Sequence, residues 1–378
     1  MSEVRRASRS DARERVLYVV SDDRYFLSHC LTMAQAARGA GFEVHVAARV
    51  TEEAEPIRAE GFVLHPARFR RGRAGVLALR RLYRAVAPAI VHHVGLRLAL
   101  PGIVASAGFS FAAVHAVGGL ARRDAVPGID FGLRRRAGRA LLRHGLDAPR
   151  AMGLVQSPGD RDVLLALGVD PAHLTLIAGC GVDCDRFRPV PEPDGPVTAA
   201  FAGRMTDSKG VRTLVEAHRI LEDSGVPSEI LLAGQPDPDD PQAVPQIEVA
   251  GWGREEGITW LGHVADISRV WRRAHIAILP ARACEGVPKS LLEAAAFGRP
   301  LIATDVPGCR DLVVHEKTGL LVPVDDPGAL AAAMERLARS SQQRIRLGVA
   351  ARRLVDERFS ADLIGRATVD LYRRLIDS

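Results

Sequence analysis

The chain of 378 residues is 47% hydrophobic and 25% charged, with a formal net charge of +6. This composition is typical of a soluble globular protein, and the length is sufficient for two domains. It excludes a membrane-spanning chain, because no apolar run approaches the ~20 residues that cross a bilayer. The N-terminus also lacks the apolar segment of a signal peptide, so we expect a cytoplasmic protein.

The positive charge is concentrated in the N-terminal half. Residues 1–186 carry a net charge of +9 and residues 187–378 carry −3. Arginine clusters near 68–73, 80–81 and 134–143 attract nucleic acid, anionic lipid or a diphosphate, although arginine also solvates helix faces without any ligand. The five cysteines form no Cys-x-x-Cys pair and are an odd number, which favours reduced thiols over a structural zinc site.

The N-terminal half alternates strands and helices. After a polar segment, 1–13, that we expect to be disordered, Val16–Val20 predicts the first strand, followed by a loop through Ser21–Phe26 and a helix that includes Leu31 and Arg38. A strand at Val44–Ala48 completes a right-handed parallel unit. Further strands are predicted near 62–65, 89–94, 111–115, 152–156 and 174–177, and helices near 74–87, 98–107, 132–145 and 159–167.

The proline-rich segment 187–196 predicts a semi-rigid linker between two domains, 14–186 and 197–358. The second domain has predicted strands near 198–203, 229–234, 258–261, 275–280, 301–304 and 319–322. A helix with apolar residues at helical spacing occupies 359–378. The fold class is therefore α/β, with two Rossmann-like, doubly wound domains facing a cleft.

The segment 284–295 predicts a ligand site at the end of a buried strand. The apolar run 276–280 precedes it, and Pro288 fits the first position of the following helix, which places Glu285 in the loop and Glu293 in the helix. Free N–H groups and the helix dipole at such a helix start suit a phosphate, whereas two carboxylates are suited to accept hydrogen bonds from hydroxyls. A helix start that is merely solvated by both glutamates is the alternative.

The segment 201–210 has the same arrangement, since it leaves a strand and opens a helix. It carries Gly203, Arg204 and Lys209, and Lys209 is one of only three lysines in an arginine-rich chain. Two fixed cations would offset the charge of a departing diphosphate, an effect worth several kcal/mol when preorganised. As a surface ion-pair position the segment would contribute only ~0–1 kcal/mol.

These two segments resemble the E-x7-E and G-R-x-x-x-x-K-G signatures of retaining GT-B glycosyltransferases of family 4. The resemblance implies that Glu285 binds hydroxyls of the donor sugar, that Glu293 binds the nucleotide ribose and that Arg204 and Lys209 hold the diphosphate. The stretch ending at His263 would line the nucleobase. The remaining donor-binding residues implied by the resemblance are Gly203, Gly286, Val287, Ser290 and Leu291.

In the N-terminal half, His115 at a predicted strand end matches the active-site histidine of the family, although a histidine at such a position is often packed or solvated. Asp22, His93 and Arg97 resemble acceptor-binding positions of the subgroup that extends saccharides on polyprenyl-diphosphate carriers. Two departures leave the acceptor open: Arg97 stands at the second basic position, and the aromatic run after Asp23 is short.

The sequence is therefore interpreted as a retaining glycosyltransferase that uses a nucleotide-diphosphate sugar of the UDP or GDP type as substrate, with no metal and no cofactor. The expected acceptor is a lipid-linked saccharide of cell-envelope polysaccharide assembly, with peripheral contact between the basic surface and the inner, anionic face of the membrane. The alternatives are a nucleotide-sugar 2-epimerase of the same fold and a nucleic-acid-binding protein. No nucleic-acid-binding motif accompanies the arginine clusters, so nucleic acid is not an expected partner.

Overall fold

The computed structural model describes residues 13–51, 53–70, 72–120, 133–238, 240–283 and 286–378. The chain divides into two compact units. One unit extends to Cys180 and includes the C-terminal segment Asp362–Ser378, and the other is Gly181–Ala361. The division falls shortly before the boundary at 186/187 that the sequence suggests.

The N-terminal unit is built on a parallel sheet whose described strands have the order β3-β2-β1-β4-β5-β6-β7. The strands are β1 (Arg15–Asp22), β2 (Glu43–Arg49), β3 (Val63–Pro66), β4 (Ile90–Val94), β5 (Ala112–Ala116), β6 (Ala151–Val155) and β7 (Leu174–Leu176). The helices between them are α1 (Asp23–His29), α2 (Leu31–Gly39), α3 (Ala54–Ala59), α4 (Arg73–Val86), α5 (Leu96–Ser106), α6 (Leu133–Leu146) and α7 (Pro158–Ala166). A 3-10 turn at Pro171–His173 precedes β7.

The prediction of a loop through Ser21–Phe26 was wrong, because α1 begins at Asp23. A local cap and a tertiary contact with Thr51 fix the start of this helix at Asp23. Asp22 caps it, since its Oδ1 accepts a hydrogen bond from the Tyr25 backbone N–H at 2.8 Å. Asp23 is buried and accepts hydrogen bonds from the Thr51 backbone N–H at 2.7 Å and from the Thr51 hydroxyl at 2.6 Å.

Both faces of the N-terminal sheet are covered, as its continuous apolar strands require. Val16, Tyr18 and Val20 of β1 lie in the core that contains residues of α1 and α2, whereas Leu17 and Val19 lie in the core that contains residues of α4 and α5. The two sides of each central strand therefore have different neighbours. Successive histidines of β4 face different cores for the same reason.

The second unit has a parallel sheet whose described strands have the order β10-β9-β8-β11-β12-β13. The strands are β8 (Thr198–Ala202), β9 (Glu229–Ala233), β10 (Ile258–Gly262), β11 (Ile276–Leu279), β12 (Leu301–Thr304) and β13 (Gly319–Val322). Its helices are α8 (Val211–Asp223), α9 (Gln246–Trp252), α10 (Ser268–Arg273), α11 (Lys289–Ala296), α12 (Pro307–Arg310), α13 (Pro327–Ala338) and α14 (Ser341–Arg358). Every strand predicted from the sequence in both halves is present.

The last helix, α15 (Ala361–Asp377), belongs to the N-terminal unit for all but its first residue. Ile364, Leu371, Tyr372 and Leu375 lie in the same core as Tyr18 of β1. The C-terminal helix is therefore part of the wall that covers one face of the N-terminal sheet.

The segment 187–196, expected as a linker, is fastened to the second unit. The Arg344 guanidinium donates from Nε and Nη2 to the two carboxylate oxygens of Glu192, each at 2.8 Å. Arg299, itself 2% exposed, donates from Nη2 to the Pro191 carbonyl at 3.0 Å. The proline-rich segment is thus held by side chains of the unit that follows it.

Candidate functional site

The strand order of the second sheet changes direction beside β8. Strand β8 pairs with β9 on one side and with β11 on the other, all in parallel. The loops that leave β8 and β11 therefore diverge at the carboxyl edge, which is where parallel α/β sheets bind ligands. The predicted donor residues follow β8, β10 and β11, so the fold brings them to this one edge.

The segment after β8 presents its cations there. Arg204 is exposed, and its Nη1 donates to Asp240 Oδ2 at 2.8 Å. Lys209 ends a 3-10 turn and is partly buried. Gly210 follows with φ +70°, and a Cβ built there would lie 1.8 Å from the Pro280 carbonyl oxygen. Only glycine lets the start of α8 approach the end of β11 this closely.

The segment after β11 opens α11 at Lys289, so the prediction that Pro288 is the first helical residue was wrong by one position. Pro288, the residue before the helix, provides no side-chain cap. The first N–H groups of α11 are therefore not capped by this residue and can donate to a ligand. Val287 and Leu291 are buried, and Gly286 and Ser290 are partly buried. Glu285 lies outside the described residues.

Glu293 is the buried carboxylate of this site. Its side chain faces the start of α11, with Oε1 3.9 Å from Lys289 Nζ, and the residue is 8% exposed. Burial raises the pKa of the Glu293 carboxyl, while the positive charges of Lys289 and Arg186 act in the opposite direction. Such a carboxylate is suited to accept hydrogen bonds from the hydroxyls of a bound ligand.

The loops after β9 and β10 close the other side of the site. The Gly234 backbone N–H donates to the Gly262 carbonyl at 2.7 Å, and Trp260 Nε1 donates to the Gly234 carbonyl at 2.8 Å. A Cβ on Gly234 would lie 1.8 Å from the Gly203 carbonyl oxygen, so three loops meet in close backbone contact. His263 follows β10 and is exposed.

The predicted histidines of the N-terminal unit lie inside it. His93 of β4 and His115 of β5 are opposite each other in the sheet, with their rings stacked at a centroid distance of 4.8 Å. His93 Nε2 lies 2.6 Å from the Tyr83 hydroxyl, and neither Nδ1 has a hydrogen-bond partner among the described residues. Burial lowers the pKa of His115 to about 4. His115 and the donor residues belong to different units, so a joint role stays a prediction.

The predicted acceptor residues have three different environments. The Asp22 side chain caps α1, and His93 is buried against Tyr83. Arg97 is exposed in the first turn of α5. Of these three, Arg97 therefore has the side chain that is open to a ligand from solution.

Two polar partners in the structure have no signal in the sequence. Asp240, which holds Arg204, lies in a loop rich in aspartate and proline whose fold position no motif reveals. Tyr372, on the last helix, hydrogen-bonds His92 of β4 across 280 positions of the chain.

Within the described segments, no group of three or more His, Cys, Asp or Glu side chains is arranged to hold a metal ion. Among the helices described, none combines the length and apolar character that a membrane span requires.

Both halves of the chain match glycosyltransferase family models. Residues 15–117 match the family described as Glycosyl transferase 4-like, and residues 196–340 match the family described as Glycosyl transferases group 1. The first range includes Asp22, His93, Arg97 and His115. The second includes every predicted donor residue.

Individual relatives are similar over part of their length. The chain is 28% identical to the amylovoran biosynthesis glycosyltransferase AmsK of Erwinia amylovora over 56% of this chain and 53% of that protein. It is 24% identical to the capsular polysaccharide biosynthesis glycosyltransferase CapM of Staphylococcus aureus over 47% of this chain and 46% of that protein. The chain therefore spans about half the length of these curated relatives.

A solved structure shares the fold over nearly the whole chain. Anabaena HepE, crystallised with UDP-glucose, superposes with a TM-score of 0.79 at 14% identity, covering 95% of this chain and 99% of that one. The predicted GT-B fold is thereby confirmed.

Proposed function

We propose that this chain, each half of which matches a glycosyltransferase family model, transfers a sugar from a nucleotide-diphosphate donor to a saccharide acceptor, with retention of configuration and without a metal ion. The observation that carries the proposal is the carboxyl edge of the second sheet. There the exposed cation of Arg204, the start of α11 and the buried carboxylate of Glu293 follow neighbouring strands.

In this proposal the donor diphosphate lies against Arg204, Lys209 and the N–H groups at the start of α11. Charge grows on the leaving diphosphate as the glycosidic bond breaks, and cations that are already in place lower the barrier by several kcal/mol. The arginine fork also fixes the orientation of the phosphate oxygens. These residues would stabilise the negative charge on the leaving diphosphate, as a divalent metal does in other transferases.

The nucleoside would extend from the diphosphate toward Glu293 and His263. A ribose has two hydroxyls that can donate to one carboxylate, which explains the presence of a buried acid beside a phosphate site. HepE was solved with UDP-glucose, and we propose a uridine nucleotide for this chain as well. Glu285, by its resemblance, would contact hydroxyls of the donor sugar.

For the acceptor we propose a lipid-linked saccharide of a cell-surface polysaccharide, since AmsK and CapM are named for amylovoran and capsular polysaccharide biosynthesis. The basic N-terminal unit supports contact with an anionic membrane. The sequence contains no Asp or Glu between Glu60 and Asp124, and Arg73, Arg81 and Arg84 of α4 are exposed. Each such cation near an anionic surface contributes about 1 kcal/mol to binding.

The deciding experiment measures thermal unfolding of the wild type and of Glu293→Ala with UDP, GDP, ADP and TDP in the presence of EDTA. Binding at 100 times the dissociation constant stabilises the folded state by about 2.7 kcal/mol, so UDP should raise the wild-type melting temperature. The variant should lose that shift. Arg219→Ala is the control, because Arg219 pairs with Glu255 on the outside of α8 and should keep the shift. A wild type that responds to none of the four nucleotides contradicts the proposal.

Turnover then separates a transferase from an epimerase. With UDP-glucose and a saccharide acceptor, the anomeric configuration of the product, read by NMR, should be that of the donor. A new UDP-sugar formed without any acceptor would favour the epimerase.

A further inference from the structure

Trp271 of α10 is a buried tryptophan whose indole N–H has no hydrogen-bond partner among the described residues. The indole N–H of a buried tryptophan usually has a partner, because a buried donor without an acceptor is unfavourable. Each such donor in a folded protein therefore calls for an explanation. An acceptor that reaches the N–H in a ligand complex would provide one.

The indole is held in a fixed place in the second unit. The Trp271 backbone N–H donates to the Ile267 carbonyl at 3.3 Å, and the Trp271 carbonyl accepts from Arg299 Nε at 3.0 Å. Arg299 is itself buried and also donates to the Pro191 carbonyl. The Trp271 side chain is fully buried, so it cannot turn without displacing its neighbours. The acceptor must therefore move to the indole.

The Glu293 carboxylate is an acceptor close to this N–H. Helix α10, which carries Trp271, packs against α11, which carries Glu293. Burial raises the pKa of Glu293; the charges of Lys289 and Arg186 oppose this effect, and the Trp271 indole opposes it to a smaller extent. Lys289 Nζ is 3.9 Å from Glu293 Oε1, which is too far for a hydrogen bond that would fix the carboxylate. A small movement of this carboxylate would bring it to Nε1.

We propose that Trp271 is a positioning residue for the nucleotide: when ribose hydroxyls donate to Glu293, the carboxylate also accepts a hydrogen bond from Trp271 Nε1. The inference rests on the proposed transferase function, because that function supplies the ribose. The indole nitrogen is buried, so it acts through Glu293 and not on the ligand directly. It favours the ionised carboxylate and holds it in one orientation, which reduces the cost of ordering the site on binding.

The contact is tested on the full chain labelled with ¹⁵N-tryptophan, with the indole signals assigned by replacing each tryptophan with phenylalanine. UDP at pH 7 should move the Trp271 N–H proton signal downfield, because a hydrogen bond to an ionised acceptor is short and strong. Without nucleotide the signal should follow the titration of Glu293, with a midpoint above pH 4.5. Glu293→Gln should abolish this titration. A Trp271 signal that responds neither to UDP nor to Glu293 overturns the proposal.

Trp271→Phe keeps an aromatic ring and deletes the N–H, and it should bind UDP roughly tenfold more weakly. Trp252→Phe is the matched control, because Trp252 is a buried tryptophan of α9 in the same unit. It should keep the UDP affinity of the wild type. Equal weakening in both variants would mean that lost packing, and not the lost N–H, reduces binding, and would overturn the positioning role.

The pH profile of UDP binding distinguishes positioning from packing. Without the indole N–H the pKa of Glu293 should rise further, since a donor to its ionised form is lost. The UDP affinity of Trp271→Phe should therefore begin to fall at a higher pH than that of the wild type. Trp252→Phe should keep the wild-type profile, and titration of the UDP phosphate affects all three proteins equally. An unshifted profile in Trp271→Phe contradicts the positioning role.

The two proposals fail in different ways. If UDP raises the melting temperature of the wild type while the Trp271 signal stays unchanged, the positioning role is refuted and the transferase proposal stands. If UDP has no effect on the wild type, both proposals fail.

Discussion

Arg204 and Asp240 join the loops that follow two neighbouring strands, β8 and β9, through a hydrogen bond of 2.8 Å from Nη1 to Oδ2. The Arg204 side chain is 60% exposed and Asp240 is 20% exposed. The contact holds one corner of the guanidinium and leaves Nε and Nη2 able to donate to a phosphate. Asp240 thus pre-orders the cation that the proposed mechanism needs.

Replacing Arg204 with alanine should therefore weaken UDP binding about 10- to 100-fold, since a hydrogen bond to a charged group contributes about 1.5–3 kcal/mol. The melting temperature without nucleotide should change little, because an exposed ion pair contributes ~0–1 kcal/mol. Calorimetric titration with UDP measures the effect, and Arg219→Ala is the matched arginine deletion on α8. Unchanged UDP affinity in Arg204→Ala would remove Arg204 from the site.

Gly210 provides a second test, of backbone geometry. Alanine there meets the Pro280 carbonyl oxygen and a φ of +70°, so Gly210→Ala should destabilise the second unit by about 3 kcal/mol or more. Gly251 of α9 has open space at the Cβ position, and Gly251→Ala should be neutral or stabilise by up to about 1 kcal/mol. Urea unfolding followed by tryptophan fluorescence reports this unit alone, because all three tryptophans lie in it. Equal effects of the two changes would contradict the close approach at Gly210.

Glu293 should show a trade-off between stability and binding. Its folded pKa is raised by burial, so above that pKa the ionised carboxyl lowers the stability of the folded state, and the cost disappears as the pH falls toward its ordinary value of 4.5. Glu293→Gln should therefore raise the unfolding free energy at pH 7 and have a smaller effect near pH 4.5. UDP affinity should fall by roughly tenfold or more, because the amide is a weaker acceptor for ribose hydroxyls. A variant that is both less stable at pH 7 and unaltered in UDP binding would be inconsistent with a ligand-directed carboxylate.

The N-terminal unit should be sensitive to acid. Burial lowers the pKa of His92 to about 3 and that of His115 to about 4, and it holds the pKa of His93 well below 6.5. Below pH 6.5 the unfolded chain protonates these histidines, whereas the folded unit keeps them neutral. The free energy of unfolding of this unit therefore falls as the pH falls from 6.5 toward these pKa values. His92 and His115 should each cost about 2 kcal/mol at pH 5. All four tyrosines lie in this unit, so near-UV circular dichroism of tyrosine follows its urea unfolding separately.

A pair of variants identifies the source of this pH dependence. His115→Asn should reduce the loss of stability between pH 7 and pH 5 by about 2 kcal/mol, since one of the buried rings no longer contributes to the difference in proton binding between the folded and unfolded chain. His263→Asn removes an exposed histidine of the other unit and should leave the loss unchanged. Equal pH dependence in both variants and the wild type would assign the acid sensitivity to carboxylates.

The central strands could be predicted from the sequence because they are short, buried, apolar runs, and burial on both faces leaves a continuous pattern. The edge strands β3 and β7 are partly exposed and are shorter runs of the same kind. Motif spacing at strand ends predicts the glycines and cations of the proposed donor site. Gly203 and Arg204 directly follow β8, and their role stays a prediction. The helix at Asp23 could not be predicted, because contacts from Thr51 help to fix it. The pairing of Tyr372 with His92 spans 280 positions and depends on which face of the sheet the last helix covers. Local pattern contains no information of that kind.

The composition of the segment 187–196 predicts a linker, whereas the structure shows it bound to side chains of the second unit. Its prolines indicate a stiff spacer, but they do not reveal that Arg344 of α14 is buried at 6% exposure and binds Glu192 with two hydrogen bonds. Arg344 Nη1 also donates to the Leu337 carbonyl at 2.7 Å. Each of the three guanidinium nitrogens of Arg344 thus donates to a group of the second unit.

Replacing Arg344 with alanine should therefore destabilise the second unit by about 3 kcal/mol, because Glu192 would lose its cation while remaining partly buried. Arg353→Ala is the control on the same helix, since Arg353 is 79% exposed and pairs with Glu357 four residues away. That pair is worth only about 0.3–0.5 kcal/mol. Urea unfolding followed by tryptophan fluorescence should separate the two variants clearly. A loss below 1 kcal/mol in Arg344→Ala would mean that the proline-rich segment is held without this ion pair and behaves as the linker that its composition suggests.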